Sequence, residues 1–247
     1  MNDLRRIKQK WMALAPQQWW GDSIDVRFYL ITQLRRLHGQ TVLDVGCSVG
    51  MILSEIDSSN RKYGFDIHYG ILTKAQKLNP DAHFAACSAL DYFPYQPDSF
   101  DVVIMSHVIP YYDYRVPFSL LPKHAQIANV FAEIHRILKP KGKLLLTTPN
   151  GEHFCYQQAE KIRFAELQHV LARFRQVRIY GWNPLPPFVF FLPHGWQQRI
   201  PPQYHRYLFL PSPVLARIPG IMNVLRYVMT KKGLLKTAKA FYVECEK

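Results

Sequence analysis

Short apolar runs alternate with segments of helical spacing along most of the first 180 residues. The clearest run, Thr41–Val45, contains β-branched residues and ends at Gly46, as expected of a buried strand. Six further strands are predicted at Tyr63–Phe65, His83–Ala86, Val102–Met105, Lys143–Thr148, Val177–Tyr180 and Phe241–Cys245. Helices are predicted over residues 2–13 and 23–38 and along the apolar stripe Ile127, Phe131, Ile134 and Leu138. This alternation predicts an α/β fold with a mostly parallel sheet.

The stretch between the last two predicted strands has a different composition. Residues 182–220 hold 9 of the 18 prolines together with many aromatic side chains. Proline interrupts both helices and sheets, so this stretch is predicted to be an irregular insertion. A helix is predicted near its end, because apolar residues recur at helical spacing from Ile218 to Met229.

Basic charge is concentrated in the same part of the chain. The 247 residues include 31 Lys and Arg against 18 Asp and Glu, a formal net charge of +13. Residues 1–150 carry 17 basic and 13 acidic side chains, whereas residues 151–247 carry 14 and 5. Between Leu167 and Val243 there are 11 Lys and Arg and no acidic residue. The charge therefore describes one surface and not the whole protein.

Several protein classes are disfavoured by features of the sequence. The N-terminus is charged and leads into no apolar segment, so we expect no secretory signal. The apolar run Phe188–Leu192 is far shorter than the ~20 residues needed to span a bilayer. The four cysteines lack CxxC spacing, so reduced thiols and no metal site are expected. We expect a cytoplasmic protein, with peripheral membrane contact as an open alternative.

The strongest chemical signal is the segment from Val42 to Gly50, a strand followed by a glycine-punctuated turn and then a predicted helix. Gly46 and Gly50 let the backbone turn sharply and approach a ligand. The N–H groups at the start of the following helix point to the same place. Asp44 is costly within an apolar strand unless its carboxylate is used.

A second acidic residue follows the next strand. Asp66 lies 16 residues after Gly50, where a carboxylate can accept hydrogen bonds from both hydroxyls of a ribose. A dinucleotide fingerprint would have glycines where Ser48 and Met51 stand, so a nicotinamide dinucleotide is disfavoured.

The chain from about Thr41 to Asn150 resembles the class I S-adenosylmethionine-dependent methyltransferases. Asp44–Gly50 reads D-V-G-C-S-V-G where that family usually has D-x-G-C-G-x-G, and Asp66 matches the family's ribose-binding acid. The other matching segments are S-F-D-V-V at Ser99–Val103, E-I-H-R-I-L-K-P-K-G-K at Glu133–Lys143 and T-T-P-N at Thr147–Asn150.

The resemblance implies a Rossmann-like fold with a seven-stranded, mostly parallel sheet, helices on both faces, and S-adenosyl-L-methionine as cofactor. It divides a single domain into an N-terminal helical cap (1–40), a cofactor-binding core (41–180), an acceptor-side insertion (181–240) and a final strand (241–247). The implied cofactor-binding residues are Asp44, Gly46, Cys47, Ser48, Gly50, Asp66, Ile67, Ser88, Ala89, Leu90, Ser106 and His107. No metal is implied.

Two segments depart from the family pattern. Cys87-Ser88-Ala89 stands where G-D-A is frequent, so Ser88, backbone groups or Asp91 must serve the adenine. After the fourth strand, Pro110 and Tyr111 replace the Glu and His of H-V-L-E-H.

His107 is retained from that motif and is the candidate catalytic residue. It is the titratable side chain at these strand ends that can act near neutral pH, as a base for a hydroxyl acceptor. The alternative is a histidine that only packs over the cofactor. Candidate substrate-contacting residues are Trp19, Trp20, Tyr111, Tyr112 and His153.

Three interpretations of the basic insertion remain open: a lid with solvated lysines, a surface held against anionic lipid, and a grip on RNA phosphates. The leading hypothesis is a methyltransferase for a small-molecule or lipid-linked acceptor, with O-methylation as the reaction and possible peripheral membrane contact through 182–240. The alternatives are an RNA methyltransferase and a non-catalytic adenosylmethionine-binding regulator.

Overall fold

The structure is a computed structural model of the 247-residue chain. It describes residues 24–109, 123–152, 162–182 and 240–247, together with residues 6, 7, 9, 10, 13 and 238. The α-helices in these ranges are α1 (Ile24–Leu34), α2 (Tyr69–Leu78), α3 (Lys123–Ile137) and α4 (Phe164–Leu171), and a 3-10 turn spans Leu53–Glu55. The strands are β1 (Thr41–Val45), β2 (Arg61–Asp66), β3 (Ala82–Ala86), β4 (Phe100–Ser106), β5 (Leu138–Pro149), β6 (Arg175–Trp182) and β7 (Ala240–Glu246).

The seven strands form one sheet in the order β3-β2-β1-β4-β5-β7-β6. Neighbours among β1 to β5 pair in parallel, whereas β7 runs antiparallel between β5 and β6. The predicted α/β, Rossmann-like, mostly parallel sheet is therefore confirmed. The order reverses between β1 and β4, and a cleft outside the carboxyl ends of the strands is expected at such a reversal.

Apolar residues that alternate along the central strands bury both faces of the sheet. Val103 and Met105 of β4 pack with the buried sides of α3 and α4. Val102 and Ile104 of the same strand belong to a second buried cluster on the opposite face. That cluster also contains Leu30 of α1 and Leu72 of α2. Because successive strand residues point to opposite faces, this one strand supplies both cores. Helices on both faces are confirmed.

Several boundaries differ from the predicted ones. β1 has the predicted bounds, but α1 ends at Leu34 and not at residue 38. The N–H of Leu37 donates to the carbonyl of Leu34 at 3.1 Å, a tighter turn that ends the helix, and Gly39 has a left-handed φ of 66°. β6 continues to Trp182 and β7 begins at Ala240, so the sheet extends slightly into the range expected for the insertion.

One carboxylate joins three strands at the amino ends of β1 and β4. Asp101 of β4 accepts the N–H of Thr41 at 2.8 Å and the Nζ of Lys139 at 2.8 and 2.9 Å. Although burial acts to raise the pKa of Asp101, the hydrogen bonds from Lys139 and Thr41 hold it below its usual value. These family-motif residues therefore hold the sheet together at the end away from the glycine turn.

A second motif pair fastens the long loop between β3 and β4. The Arg136 guanidinium donates to the carbonyls of Tyr95 at 2.8 Å and Phe93 at 3.0 Å. It also binds both carboxylate oxygens of Glu133 at 2.9 and 2.7 Å, and Glu133 accepts the N–H of Phe93 at 2.9 Å. The loop held in this way begins with residues 88–90, which are candidate site residues.

We expect Arg136→Met to lower the free energy of unfolding by about 1–3 kcal/mol, because two carbonyls and a carboxylate lose their donor. Urea denaturation monitored by circular dichroism measures the change. Arg173→Met is the matched control, since Arg173 is exposed. Equal losses in the two variants would contradict the role of Arg136 in fastening the loop.

Candidate active site

Three residues with left-handed backbone conformations form the turn after β1. They are Gly46, Ser48 and Gly50, with φ values of 68°, 51° and 73°. A Cβ at Gly46 would lie 2.6 Å from a methyl group of Val108, and one at Gly50 would lie 2.5 Å from the Asn79 amide nitrogen. Both glycines are therefore required by backbone conformation and by packing, in addition to the ligand approach inferred from sequence.

Ser48 occupies a left-handed position where the family usually has glycine. Such a conformation costs a non-glycine residue roughly 1–2 kcal/mol. The N–H of Ser48 donates to Oδ2 of Asp66 at 2.9 Å, which fastens the turn to the end of β2. This hydrogen bond places the turn and the carboxylate side by side.

Asp66 has acceptor capacity left after its backbone contacts. Its Oδ2 accepts the Ser48 N–H and its Oδ1 accepts the His68 N–H at 3.0 Å. Each carboxylate oxygen can accept about two hydrogen bonds. Among the contacts in the described ranges, one acceptor position therefore remains on each oxygen. Two positions on a half-buried carboxylate match the two hydroxyls of a ribose.

Asp44 is buried with an oxygen that has no hydrogen-bond partner. It is 2% exposed, and its Oδ2 finds no donor within the described part of the protein. Burial chiefly, and the nearby Asp66 carboxylate, raise the pKa of Asp44 to about 8, although Arg27 opposes the change. The carboxyl is therefore mostly protonated at neutral pH, and a cationic ligand beside it would favour its ionised form.

An apolar surface adjoins these carboxylates. Ile67 directly follows Asp66 and is 56% exposed. Ser88, Ala89 and Leu90 follow β3, are all half-buried, and form a turn in which the Leu90 N–H donates to Ser88 Oγ at 3.1 Å. Such a surface can contact a flat aromatic ring.

The end of β4 carries a buried histidine with two bonds to one threonine. His107 is 6% exposed and has a left-handed φ of 60°. The backbone N–H of His107 donates to the Thr147 carbonyl at 2.7 Å, and the ring Nδ1 lies 2.8 Å from Thr147 Oγ1. Ser106 Oγ lies 2.8 Å from the same hydroxyl. Thr147 is not among the site residues predicted from the sequence, although it lies in the T-T-P-N segment that matches the family.

The predicted cofactor-binding residues converge at one edge of the sheet. They follow or end β1, β2, β3 and β4, which are neighbours in the sheet. The side chain of Cys47 does not share this placement, because its thiol is buried against Gly64. Burial raises the pKa of this thiol, so it acts as a packing group. Trp19, Trp20, Tyr111, Tyr112, His153 and most of the 181–240 insertion lie outside the described residues.

The described residues contain no group of three or more His, Cys, Asp or Glu side chains that could hold a metal ion. No helix among them is both long and apolar enough to cross a membrane.

Residues 43–146 match the family model described as a methyltransferase domain. A search of curated protein sequences found no match. Among solved structures, a S-adenosylmethionine-dependent methyltransferase from Archaeoglobus fulgidus is 14% identical with a TM-score of 0.55, covering 91% of this chain and 92% of that one. A corresponding enzyme from Mesorhizobium loti is 15% identical with a TM-score of 0.52, covering 90% and 97%.

A third similar structure is phosphoethanolamine N-methyltransferase 2 of Haemonchus contortus in complex with S-adenosyl-L-methionine. It is 17% identical with a TM-score of 0.56, and the match covers 96% of this chain but 55% of that one. The chain thus spans about half the length of that enzyme. At these identities the structural likeness shows the fold, and the family model matches 104 of the 247 residues. The chain therefore contains a methyltransferase domain with the fold of the S-adenosylmethionine-dependent methyltransferases.

Proposed function

We propose that this protein transfers the methyl group of S-adenosyl-L-methionine to an oxygen of a small-molecule or lipid-linked acceptor. Methyl transfer and the cofactor follow from the family, as the sequence predicted. The acceptor class and the methylated atom are the proposal. The pair of acceptor positions left on Asp66, beside the left-handed turn and the buried Asp44, carries the cofactor assignment. The observation that carries oxygen as the methylated atom is His107, buried at the end of β4 beside Thr147.

The residues present fit the cofactor. Asp66 would accept the ribose hydroxyls, and exposed Ile67 would cover one face of the adenine. The segment 88–90 would meet the edge of the ring. The glycine turn and Asp44 would hold the charged methionine end, where a carboxyl lacking a donor suits a cation.

S-adenosylmethionine supplies a methyl group that its sulfonium already makes electrophilic. The chain's own residues therefore need chiefly to bring the acceptor atom into line and to exclude water. A hydroxyl acceptor must also lose its proton. His107, buried at the end of β4 and fixed by Thr147, is the group we assign to take it.

The acceptor class is proposed from charge and from one similar enzyme. A second Haemonchus contortus phosphoethanolamine N-methyltransferase 2 structure contains phosphomonomethylethanolamine and S-adenosylhomocysteine, so that enzyme binds a small phosphorylated molecule. In this chain, the acid-free stretch from Leu167 to Val243 carries 11 Lys and Arg. Such a surface suits an anionic small molecule or a lipid headgroup, with membrane contact through 182–240 in the second case.

Radiolabelled methyl transfer to three panels tests the acceptor: phosphorylated and carboxylated metabolites, anionic lipids in vesicles, and total RNA. We expect the label on an oxygen of a small molecule or lipid. A methyl ether keeps the label in alkali, and a methyl ester loses it. Label only in RNA would contradict the proposal, because the same basic stretch can bind phosphates of RNA. Cofactor binding with no transfer to any panel would instead favour a non-catalytic regulator.

Replacing the proposed ribose ligand should weaken cofactor binding. Asp66→Ala should lower the affinity for S-adenosylmethionine by about 1–3 kcal/mol, because the ribose hydroxyls lose their acceptors. Isothermal titration calorimetry measures it. The exposed Asp81→Ala, directly before β3 at the other edge of the sheet, is the control. Unchanged affinity in folded Asp66→Ala would refute the ribose assignment.

Cofactor affinity should also depend on pH through Asp44. Its pKa of about 8 means that the free protein binds a proton there at pH 6, and a cationic ligand favours the ionised form. Binding then releases a proton, so affinity should rise by up to about tenfold per unit between pH 5.5 and 7. Calorimetry in buffers of different ionisation enthalpy counts that proton. Asp44→Asn should abolish the dependence, and a flat profile in the wild type would contradict the pairing.

A further inference from the structure

Two successive residues at the end of β4 reach one buried hydroxyl. Ser106 Oγ and His107 Nδ1 each lie 2.8 Å from Thr147 Oγ1. In a regular strand, successive side chains point to opposite faces, so both could not meet the same partner. The left-handed φ of 60° at His107 turns the chain and brings both side chains onto Thr147.

Thr147 is placed to hold His107 rather than to contact a ligand itself. It is fully buried within β5 and pairs in register with Ser106 of β4. Its carbonyl accepts the His107 N–H at 2.7 Å while its hydroxyl meets the imidazole. One residue therefore restrains both the backbone and the ring of His107, and strained backbone of this kind persists where the surroundings hold it firmly.

The direction of the two hydrogen bonds at the Thr147 hydroxyl decides which nitrogen of His107 carries the hydrogen. A threonine hydroxyl has one hydrogen, so Thr147 donates to one partner and accepts from the other. If it donates to Ser106, it accepts from Nδ1–H, and Nε2 carries the lone pair. If it donates to Nδ1, the hydrogen of the neutral ring is on Nε2. Ser106 is half-exposed, so it can accept from Thr147 and give its own hydrogen to solvent or ligand.

We propose that Thr147 is a positioning residue that makes His107 a base: its hydroxyl donates to Ser106 and accepts the Nδ1 hydrogen, leaving the lone pair on Nε2. This inference rests on the proposed function, in which the acceptor is a hydroxyl. In the transfer, the acceptor oxygen forms a bond to the methyl carbon as the S–CH₃ electron pair returns to sulfur. The hydroxyl proton moves to Nε2, and the resulting imidazolium keeps its Nδ1–H bond to Thr147.

The test is the tautomer of His107 in the full chain, read from imidazole nitrogen shifts of protein labelled with ¹⁵N-histidine. The His107 signals are those lost in His107→Gln. We expect the Nδ1–H tautomer in the wild type at a pH where the ring is neutral. In Thr147→Val, which keeps the shape of the side chain, the ratio of Nδ1–H to Nε2–H should fall roughly tenfold, as loss of one hydrogen bond implies. Thr147→Ser should restore it.

Ser106→Ala gives an independent arm that leaves Thr147 in place. Without Ser106 as acceptor, the Thr147 hydrogen turns to Nδ1, and the ring should change to the Nε2–H tautomer. A merely structural Thr147 would not transmit this change. If Thr147→Val fails to fold, as judged by circular dichroism, Ser106→Ala carries the test alone.

An Nε2–H tautomer in the wild type would overturn the inference, as would an unchanged ratio in folded Thr147→Val or in Ser106→Ala. Radiolabelled methyl transfer by the wild-type sample separates this outcome from failure of the proposed function. Label on an oxygen of a small molecule or lipid, together with the wrong tautomer, overturns only the role of Thr147. Label only on nitrogen, or only in RNA, contradicts the proposed function, whatever the tautomer.

Discussion

The hydrogen bond from the Ser48 N–H to the Asp66 carboxylate joins the ends of the two neighbouring strands β1 and β2. It holds a left-handed turn against the acidic side chain that we assign to the ribose. Gly46 and Gly50 make the turn possible, and both are packed so closely that a Cβ would collide with Val108 or Asn79. The shape of the proposed cofactor site therefore depends on contacts that involve no ligand.

Charge at this edge is arranged for a positive ligand. Burial disfavours ionisation of Asp44, and the nearby Asp66 carboxylate adds to that effect. Arg27 compensates only in part. A site that keeps a carboxyl protonated while empty can ionise it when a cation arrives, which links cofactor binding to proton release.

Local signals in the sequence predicted the core well because they depend on short-range rules. The apolar run Thr41–Val45 became β1 without adjustment, and the Asp44–Gly50 motif formed the expected turn. The helix predicted after that turn is only the short 3-10 turn Leu53–Glu55. Glu133 and Arg136 belong to a motif that was recognised in the sequence. The structure shows what they do: they hold the loop between β3 and β4 in place. Motif spacing also placed Asp66 and His107 at the same edge of the sheet, at the ends of β2 and β4 with β1 between them.

Features set by long-range pairing were not predicted. The antiparallel insertion of β7 between β5 and β6 joins segments far apart in sequence, and no local pattern encodes it. Thr147 looked like one more strand residue, because its role depends on a left-handed His107, a conformation that residue type alone does not predict. Its two polar neighbours become visible only once β4 and β5 pair.

The central claim is that the β1 turn and Asp66 form the cofactor site. A crystal structure of the protein with S-adenosylhomocysteine tests it most directly. We predict both ribose hydroxyls within hydrogen-bond distance of the Asp66 oxygens, and the adenine against Ile67. A ligand bound elsewhere, or a ribose turned away from Asp66, would contradict the account.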